Sequence, residues 1–129
     1  MDDDLEGCEA IENYRHYYAE QYGLAIGPKA MKKEILKRGP IVCGMRYTEN
    51  FMNTYDGGIY EEPQSMWPII NHYVSVVGWG VSDLGTEYWI VRNSWGTYWG
   101  NEGFFNIKMW STKNLGIEFD CSWATPDLE

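Results

Sequence analysis

The residues whose types could carry chemistry are a histidine and an asparagine, each at one end of an apolar segment. His72 begins the segment 72–79, and Asn93 ends the segment 87–93. An imidazole can act as a general base near neutral pH. An asparagine carbonyl can accept one ring N–H, so that the other ring nitrogen faces a thiol. Taken alone, a histidine at the head of a strand is more often a structural residue, so the flanking sequence must decide.

The chain has no cysteine in the setting of a known catalytic thiol. Its three cysteines, Cys8, Cys43 and Cys121, all lie outside a Cys-Gly-Ser/Ala-Cys-Trp/Tyr context. A base and an orienting amide are therefore present without an evident nucleophile. Zinc is a poor interpretation, because the cysteines are isolated and neither His16 nor His72 stands at ligand spacing to them. We expect no metal and no cofactor.

The composition favours one globular domain with an aromatic core. The chain has 129 residues, 44% of them hydrophobic, with seven Trp, ten Tyr and four Phe. Such a set also suits a chain that keeps an apolar face for a partner. The formal charge of −9 argues against a nucleic-acid partner. No apolar segment approaches the roughly 18 residues that a membrane span needs.

A short helix with readable ends separates two parts of the chain. Pro28 suits the first turn, Met31 and Ile35 give one apolar face, and Gly39 followed by a proline ends the helix. The residues before this helix show no clear period. We therefore divide the chain into an irregular N-terminal arm over 1–26 and a domain over 27–129.

After the helix the pattern favours strands. Glycine and polar residues in 82–85 predict a hairpin between the segments on either side, and two glycines at 57–58 mark another turn. The segments that favour strands are 41–45, 59–60, 73–79, 87–93, 103–109 and 117–122. One helix followed by several strands predicts an α+β fold, with an antiparallel β-barrel or a strongly twisted sheet.

The sequence around His72 and Asn93 keeps rare Trp and Gly combinations in a fixed order, at 39–41, 55–60, 71–72, 76–80, 88–96, 99–100 and 102–103. Through these segments, residues 28–126 resemble the C-terminal half of papain-family cysteine peptidases. A weaker match over 6–14 extends the resemblance toward the N-terminus. Within the family, one cathepsin branch is the most similar, through the segments 39–44, 89–93 and 117–118.

The resemblance implies a papain-like right domain, rich in β-strands, whose helical left domain is absent from this chain. By motif position, His72 would be the catalytic histidine and Asn93 its orienting partner. Trp95 would cover the hydrogen bond between them, while Trp99 would belong to the core. Tyr73 departs from the family, because the residue after the histidine borders a substrate subsite and is small in most relatives. A tyrosine there would narrow or fill the cleft.

The same resemblance implies a disulfide between Cys43 and Cys121, on neighbouring strands, if the compartment is oxidising. In a reducing compartment the two would be buried neighbouring thiols. Cys8 would be the odd cysteine, because its family partner belongs to the absent half. The compartment would be lysosomal or secretory if the parent is an active cathepsin.

Two functions remain open at this point. In the first, the chain supplies His72 and Asn93 to a left-domain polypeptide that bears the nucleophilic cysteine, and the assembled site takes a peptide substrate. We expect no peptidase activity from the chain alone, because the nucleophile and the oxyanion donors are missing. In the second, the chain is a truncated pseudo-peptidase, a structural or interaction subunit whose aromatic cleft face another protein covers. Tyr73 favours the second. A decoy that binds left domains of active relatives is a weaker third interpretation.

Overall fold

The computed structural model describes residues 7–63 and 69–128. Within these residues, seven strands form one sheet in the order β1-β7-β2-β4-β5-β6-β3. Neighbouring strands are antiparallel, except that β3 and β6 are parallel. The elements in chain order are β1 (Tyr18–Leu24), α1 (Pro28–Arg38), β2 (Ile41–Met45), α2 (Glu49–Thr54), β3 (Ile59–Tyr60), β4 (His72–Val81), β5 (Glu87–Arg92), β6 (Phe104–Lys108) and β7 (Cys121–Asp127).

The sheet is open and mixed, so of the two expected forms, an antiparallel barrel or a strongly twisted sheet, the closed barrel is the one that does not form. Its two edges are β1 and β3, and the parallel pairing of β3 with β6 breaks the antiparallel pattern. β1 also corrects the irregular character expected for the N-terminal arm, because it pairs with β7 along its length. Most side chains of β1 are exposed on both faces of the sheet. A strand that buries neither face needs no alternation of apolar and polar residues. The sequence of β1 therefore shows no period of two that would predict a strand.

α1 is confirmed with the predicted ends. Pro28 occupies its first turn, and Met31 is buried on the side that faces the sheet. Gly39 follows the helix at φ 96°, a left-handed conformation that a residue without a Cβ adopts readily. The Gly39 N–H donates to the carbonyl oxygen of Ile35 at 2.9 Å, which closes the last turn.

α2 was missed, so the expectation of one helix was wrong. The helix has six residues, and Phe51 is the only one of them that is buried. A helix this short shows no apolar period, and only its cap is readable from the sequence. The Thr48 hydroxyl caps it by accepting the N–H of Phe51 at 3.0 Å.

The last predicted strand, over 117–122, was placed too early. Residues 117–119 lie in a turn, and the strand β7 begins only at Cys121. Leu115 and Gly116, just before these residues, have φ of 55° and 74°, outside the range of an extended strand. Burial of an irregular segment produced an apolar run that looks like a strand in the sequence.

The core lies between one face of the sheet and the two helices. Trp99 packs against it, as predicted, and its indole N–H donates to the Met52 carbonyl oxygen at 2.9 Å. No helix in the described part of the chain is long and apolar enough to cross a membrane. The largest fully buried side chains include Met31, Ile41, Met45, Phe51, Val76, Trp89, Val91, Phe105, Ile107, Leu115 and Ile117.

One carboxylate is buried at the margin of this core. Glu118 Oε1 accepts the indole N–H of Trp89 at 3.0 Å and the backbone N–H of Trp110 at 2.8 Å. Burial raises the pKa of Glu118 above its ordinary value, because the charged form loses its hydration. The two hydrogen bonds favour the charged form and oppose that rise without cancelling it.

We expect Glu118→Gln to stabilise the protein near neutral pH and to change little in acid. A carboxyl whose pKa is raised by folding contributes stability below its unfolded-state pKa, and that contribution is lost as the pH rises through the folded-state pKa. Glutamine cannot ionise, so the substitution removes the loss. We expect a Tm that is higher than that of the parent protein at neutral pH and nearly equal to it in acid. Thermal melts followed by circular dichroism across this pH range measure it. The exposed substitution Glu9→Gln is the control, and a neutral-pH Tm that Glu118→Gln leaves unchanged or lower contradicts the expectation.

Candidate functional site

The β4–β5 hairpin brings the two candidate site residues together. His72 is the first residue of β4, and Asn93 directly follows the end of β5. The two strands are antiparallel, with Ser75 opposite Arg92, so the start of one strand lies beside the end of the other. The hairpin was predicted and is confirmed. The Asn93 N–H donates to the Gly103 carbonyl oxygen at 3.0 Å, which fixes its backbone just beyond the strand.

The hydrogen bonds around Asn93 determine the tautomer of His72. His72 Nε2 lies 2.8 Å from Asn93 Oδ1, and the backbone N–H of Ser94 donates to the same oxygen at 2.8 Å. A backbone N–H can only donate, so the atom that both groups approach must be the amide oxygen. His72 Nε2 therefore carries the proton, and the lone pair of Nδ1 is left to act as a base.

An aromatic cluster lies against the imidazole. The Trp95 ring stacks on His72 with centroids 5.1 Å apart and an interplanar angle of 25°. Trp99 supports Trp95 from the core side, edge to face at 4.8 Å. Asn93 is itself 8% exposed. Water has little access to the His–Asn hydrogen bond, and the low local polarity strengthens it.

Tyr73 lies on the opposite face of β4, because successive side chains of a strand alternate. It is 61% exposed. Its ring lies over Gly44, where a Cβ would come within 3.2 Å of Tyr73 Cε1 and 2.8 Å of Ile70 Cγ2. Tyr73 and Asn93 line the same surface hollow of about 340 Å³. The tyrosine is therefore a neighbour of the site, and its effect on a substrate stays a prediction.

Sequence reasoning missed two residues next to the imidazole. The Tyr47 ring meets His72 edge-on at a centroid distance of 5.8 Å, and the Asn71 side chain hydrogen-bonds the backbone of Tyr47. Tyr47 lies in no motif, and nothing in its neighbours predicts the contact. Asn71 did carry a signal, because it precedes His72 in the matching segment 71–72.

Cys43 and Cys121 form a disulfide, as the resemblance implies. They stand directly opposite each other on β2 and β7. Cys8 is free and exposed. In the described ranges, 7–63 and 69–128, no group of His, Cys, Asp and Glu side chains is arranged to hold a metal ion.

The sequence comparisons identify the family. The chain matches the papain family cysteine protease over residues 4–125. Cathepsin Z of Onchocerca volvulus is 48% identical over 126 residues, which cover 92% of this chain and 40% of the relative. Cathepsin B-like cysteine proteinase 6 of Caenorhabditis elegans is 36% identical over 114 residues, covering 88% of this chain and 29% of the relative. The cathepsin branch predicted from the sequence is that of cathepsin X, also called cathepsin Z, and its likeness is confirmed.

Solved structures agree with this assignment. Procathepsin B S9 of Trypanosoma congolense superposes with a TM-score of 0.74 at 30% identity, covering 88% of this chain and 38% of that one. Bromelain from Ananas comosus, solved in complex with the E64 inhibitor, has a TM-score of 0.71 at 26% identity, covering 84% of this chain and 51% of that one. The present chain spans about 40% of the length of the matched cathepsin Z.

The observed fold is the papain-like right domain, and the described residues include no helical left domain. A family match over most of the chain, a curated relative at 48% identity and papain-like structural neighbours agree with one another. This chain belongs to the papain family of cysteine proteases.

Proposed function

We propose that this chain is the right domain of a cathepsin Z-like cysteine peptidase and supplies His72 and Asn93 to a thiol on a left-domain polypeptide. Peptides are the substrate class, and the chain alone is inactive. The observation that carries the proposal is the 2.8 Å contact between His72 Nε2 and Asn93 Oδ1. It fixes the ring from one side and leaves Nδ1 unprotonated on the other. The 48% identity to a cathepsin Z supports the choice of peptidase.

The chemistry follows from the free Nδ1 of His72. Nδ1 takes the thiol proton, and the resulting thiolate attacks the carbonyl carbon of the scissile peptide bond. The imidazolium then returns that proton to the leaving amine, and an acyl-enzyme thioester remains. In the second half, Nδ1 takes a proton from water, whose oxygen attacks the thioester carbonyl carbon. The acyl C–S bond breaks, the acid leaves, and the imidazolium returns its proton to the thiolate. Asn93 accepts the Nε2–H throughout, so the ring keeps its orientation while its charge changes.

The cysteines of this chain are poor candidates for the nucleophile. Cys43 and Cys121 are buried and bonded to each other, so neither offers a thiol. Cys8 is free, but it lies in the exposed arm and outside the sequence context of a catalytic cysteine. Catalysis therefore needs a thiol and oxyanion donors from outside these 129 residues.

The test is a complementation experiment. The chain is mixed with a left-domain polypeptide that carries Cys-Gly-x-Cys-Trp, and hydrolysis of a fluorogenic peptide amide is followed at mildly acidic pH. We expect no turnover from either chain alone, turnover from the mixture, and labelling of the partner's cysteine by a thiol-directed epoxide probe. His72→Ala in the mixture should lower kcat/KM by at least about 10³-fold.

The control is His16→Ala, because His16 is the other histidine of the chain and lies in the exposed arm. It should leave turnover unchanged. Turnover by the chain alone would contradict the proposal, and so would a mixture whose activity survives His72→Ala.

A second candidate function is that of a pseudo-peptidase subunit, and the exposed Tyr73 favours it. In that case a partner covers the cleft face, and the His–Asn hydrogen bond is only structural. Tyr73→Ala separates the two functions. As a peptidase, the mixture should keep or gain turnover when the ring is removed. If the chain is a structural subunit, the mixture should show no turnover with either tyrosine or alanine at position 73. Tyr73→Ala should then weaken partner binding in calorimetry.

A further inference from the structure

The side chain of Asn71 holds the backbone of Tyr47 beyond the end of β2. β2 ends at Met45, whose carbonyl oxygen accepts the Asn71 N–H at 3.1 Å. Asn71 Oδ1 then accepts the Tyr47 N–H at 2.8 Å, and Asn71 Nδ2 donates to the Tyr47 carbonyl oxygen at 3.3 Å. A side-chain amide thus replaces a strand partner. Because both backbone polar groups of Tyr47 are engaged, the backbone is held and the direction of its Cα–Cβ bond is fixed.

The ring of Tyr47 completes a group of three rings. It meets His72 edge-on with centroids 5.8 Å apart and an interplanar angle of 77°. It meets Trp95 in the same way at 5.6 Å and 81°. Trp95 in turn stacks on His72. Each ring therefore contacts the other two, in the edge-to-face and stacked geometries that aromatic pairs prefer.

The third ring matters because the other restraints leave His72 a degree of freedom. One hydrogen bond at Nε2 still allows the imidazole to tilt about that contact, and a stacked indole allows it to slide along the indole plane. Either movement displaces Nδ1, the atom that would take a proton. A displacement of about 1 Å at a reacting atom can lower a rate by about 10²-fold. The Tyr47 ring meets both His72 and Trp95 edge-on, so it opposes both the tilting and the sliding of the imidazole.

We propose that Tyr47 is a positioning residue for the imidazole of His72, and that Asn71 acts on the imidazole through Tyr47. The catalytic meaning rests on the proposed function, in which His72 is the base. The positioning itself is a property of this chain and can be measured without a left-domain partner.

The measurement is the solvent exchange of the His72 Nε2–H, followed by NMR on imidazole-¹⁵N-labelled protein. Two histidines make the spectrum simple, and the exposed His16 serves as an internal reference. We expect exchange about tenfold faster in Tyr47→Ala, and nearly as much faster in Asn71→Ala. Tyr47→Phe keeps the ring and should stay within about twofold of the parent protein. So should the control Tyr98→Ala, because Tyr98 is fully exposed.

Two further exchange measurements distinguish the positioning of His72 by Tyr47 from a general loss of protein stability. The backbone amide of Val76, in the centre of the sheet, should exchange at the parent rate in every variant. The double variant Asn71→Ala/Tyr47→Ala should exchange no faster than Tyr47→Ala, because Asn71 acts through the tyrosine. The proposal is overturned if Tyr47→Ala stays within twofold, if Tyr47→Phe behaves like Tyr47→Ala, if Val76 accelerates in parallel, or if the two substitutions add.

The complemented assembly gives an independent reading. There, Tyr47→Ala should lower kcat by about tenfold with KM nearly unchanged, and Tyr47→Phe should restore kcat. An assembly without any turnover would defeat the proposed function, while the exchange rates would still decide the role of Tyr47. An active assembly that is indifferent to Tyr47→Ala would overturn the positioning role.

Discussion

Replacing Cys43 and Cys121 together by alanine is expected to lower the free energy of unfolding by about 4 kcal/mol. The disulfide joins residues 78 positions apart in sequence, so it removes much of the conformational freedom of the unfolded chain. It also joins β2 to β7 where the two strands share a short pairing. Besides Cys43 opposite Cys121, that pairing has only Val42 opposite Ser122. Total stabilities of small domains are about 5–15 kcal/mol, so this loss is a large fraction.

Denaturant unfolding of the oxidised protein and of the double variant measures this difference. A reductant should lower the midpoint of the parent protein and leave that of the double variant where it is. Cys8→Ser is the matched control, because that thiol is free and exposed. A midpoint that is insensitive to reductant in the parent protein would show that the disulfide contributes nothing.

The second large effect is expected at Phe51. Its ring is fully buried, and Phe51→Ala should cost about 4 kcal/mol, from the lost burial and the cavity that remains. The ring is the centre of the aromatic core. The rings that contact it at centroid distances between 4.9 and 6.1 Å are those of Tyr55, Tyr60, Trp95, Trp99 and Phe105.

Phe51→Ala should also loosen the candidate site, because Trp95 contacts both Phe51 and His72. Thermal melts report the stability, and exchange of the His72 Nε2–H reports the loosening. Met52→Ala is the control, since Met52 is the next residue of the same helix and is 40% exposed. The explanation fails if the two substitutions destabilise the protein equally.

Elements with local signals were predictable from the sequence. α1 has a proline at its start and a glycine after its end, and the β4–β5 hairpin has alternating strands around a polar turn. The mixed, open sheet was not predictable, because the parallel pairing of β3 with β6 depends on contacts between distant segments. Ile117 and Glu118 lie in a turn that imitated the start of a strand, because tertiary packing buries both residues.

The candidate site was predictable where its residues carry local sequence signals, and not where long-range contacts place them. His72 and Asn93 lie at the ends of readable strands and within a motif, and the structure places them at hydrogen-bonding distance. Tyr47 lies outside any regular element, and its backbone is held by the side-chain amide of Asn71, 24 residues away in sequence. No periodicity or spacing predicts a contact of that kind.

His72 and Asn93 lie at adjoining strand ends and are only 21 residues apart in sequence. A short length of chain therefore brings the base and its orienting amide together. Contacts that are close in sequence form early and at low entropic cost. An incoming thiol would therefore encounter an imidazole that already has its orientation, and docking would have to restrict the motion of the sulfur alone. In the proposed assembly of two polypeptides, dissociation and re-encounter would switch hydrolysis off and on without any refolding of this domain.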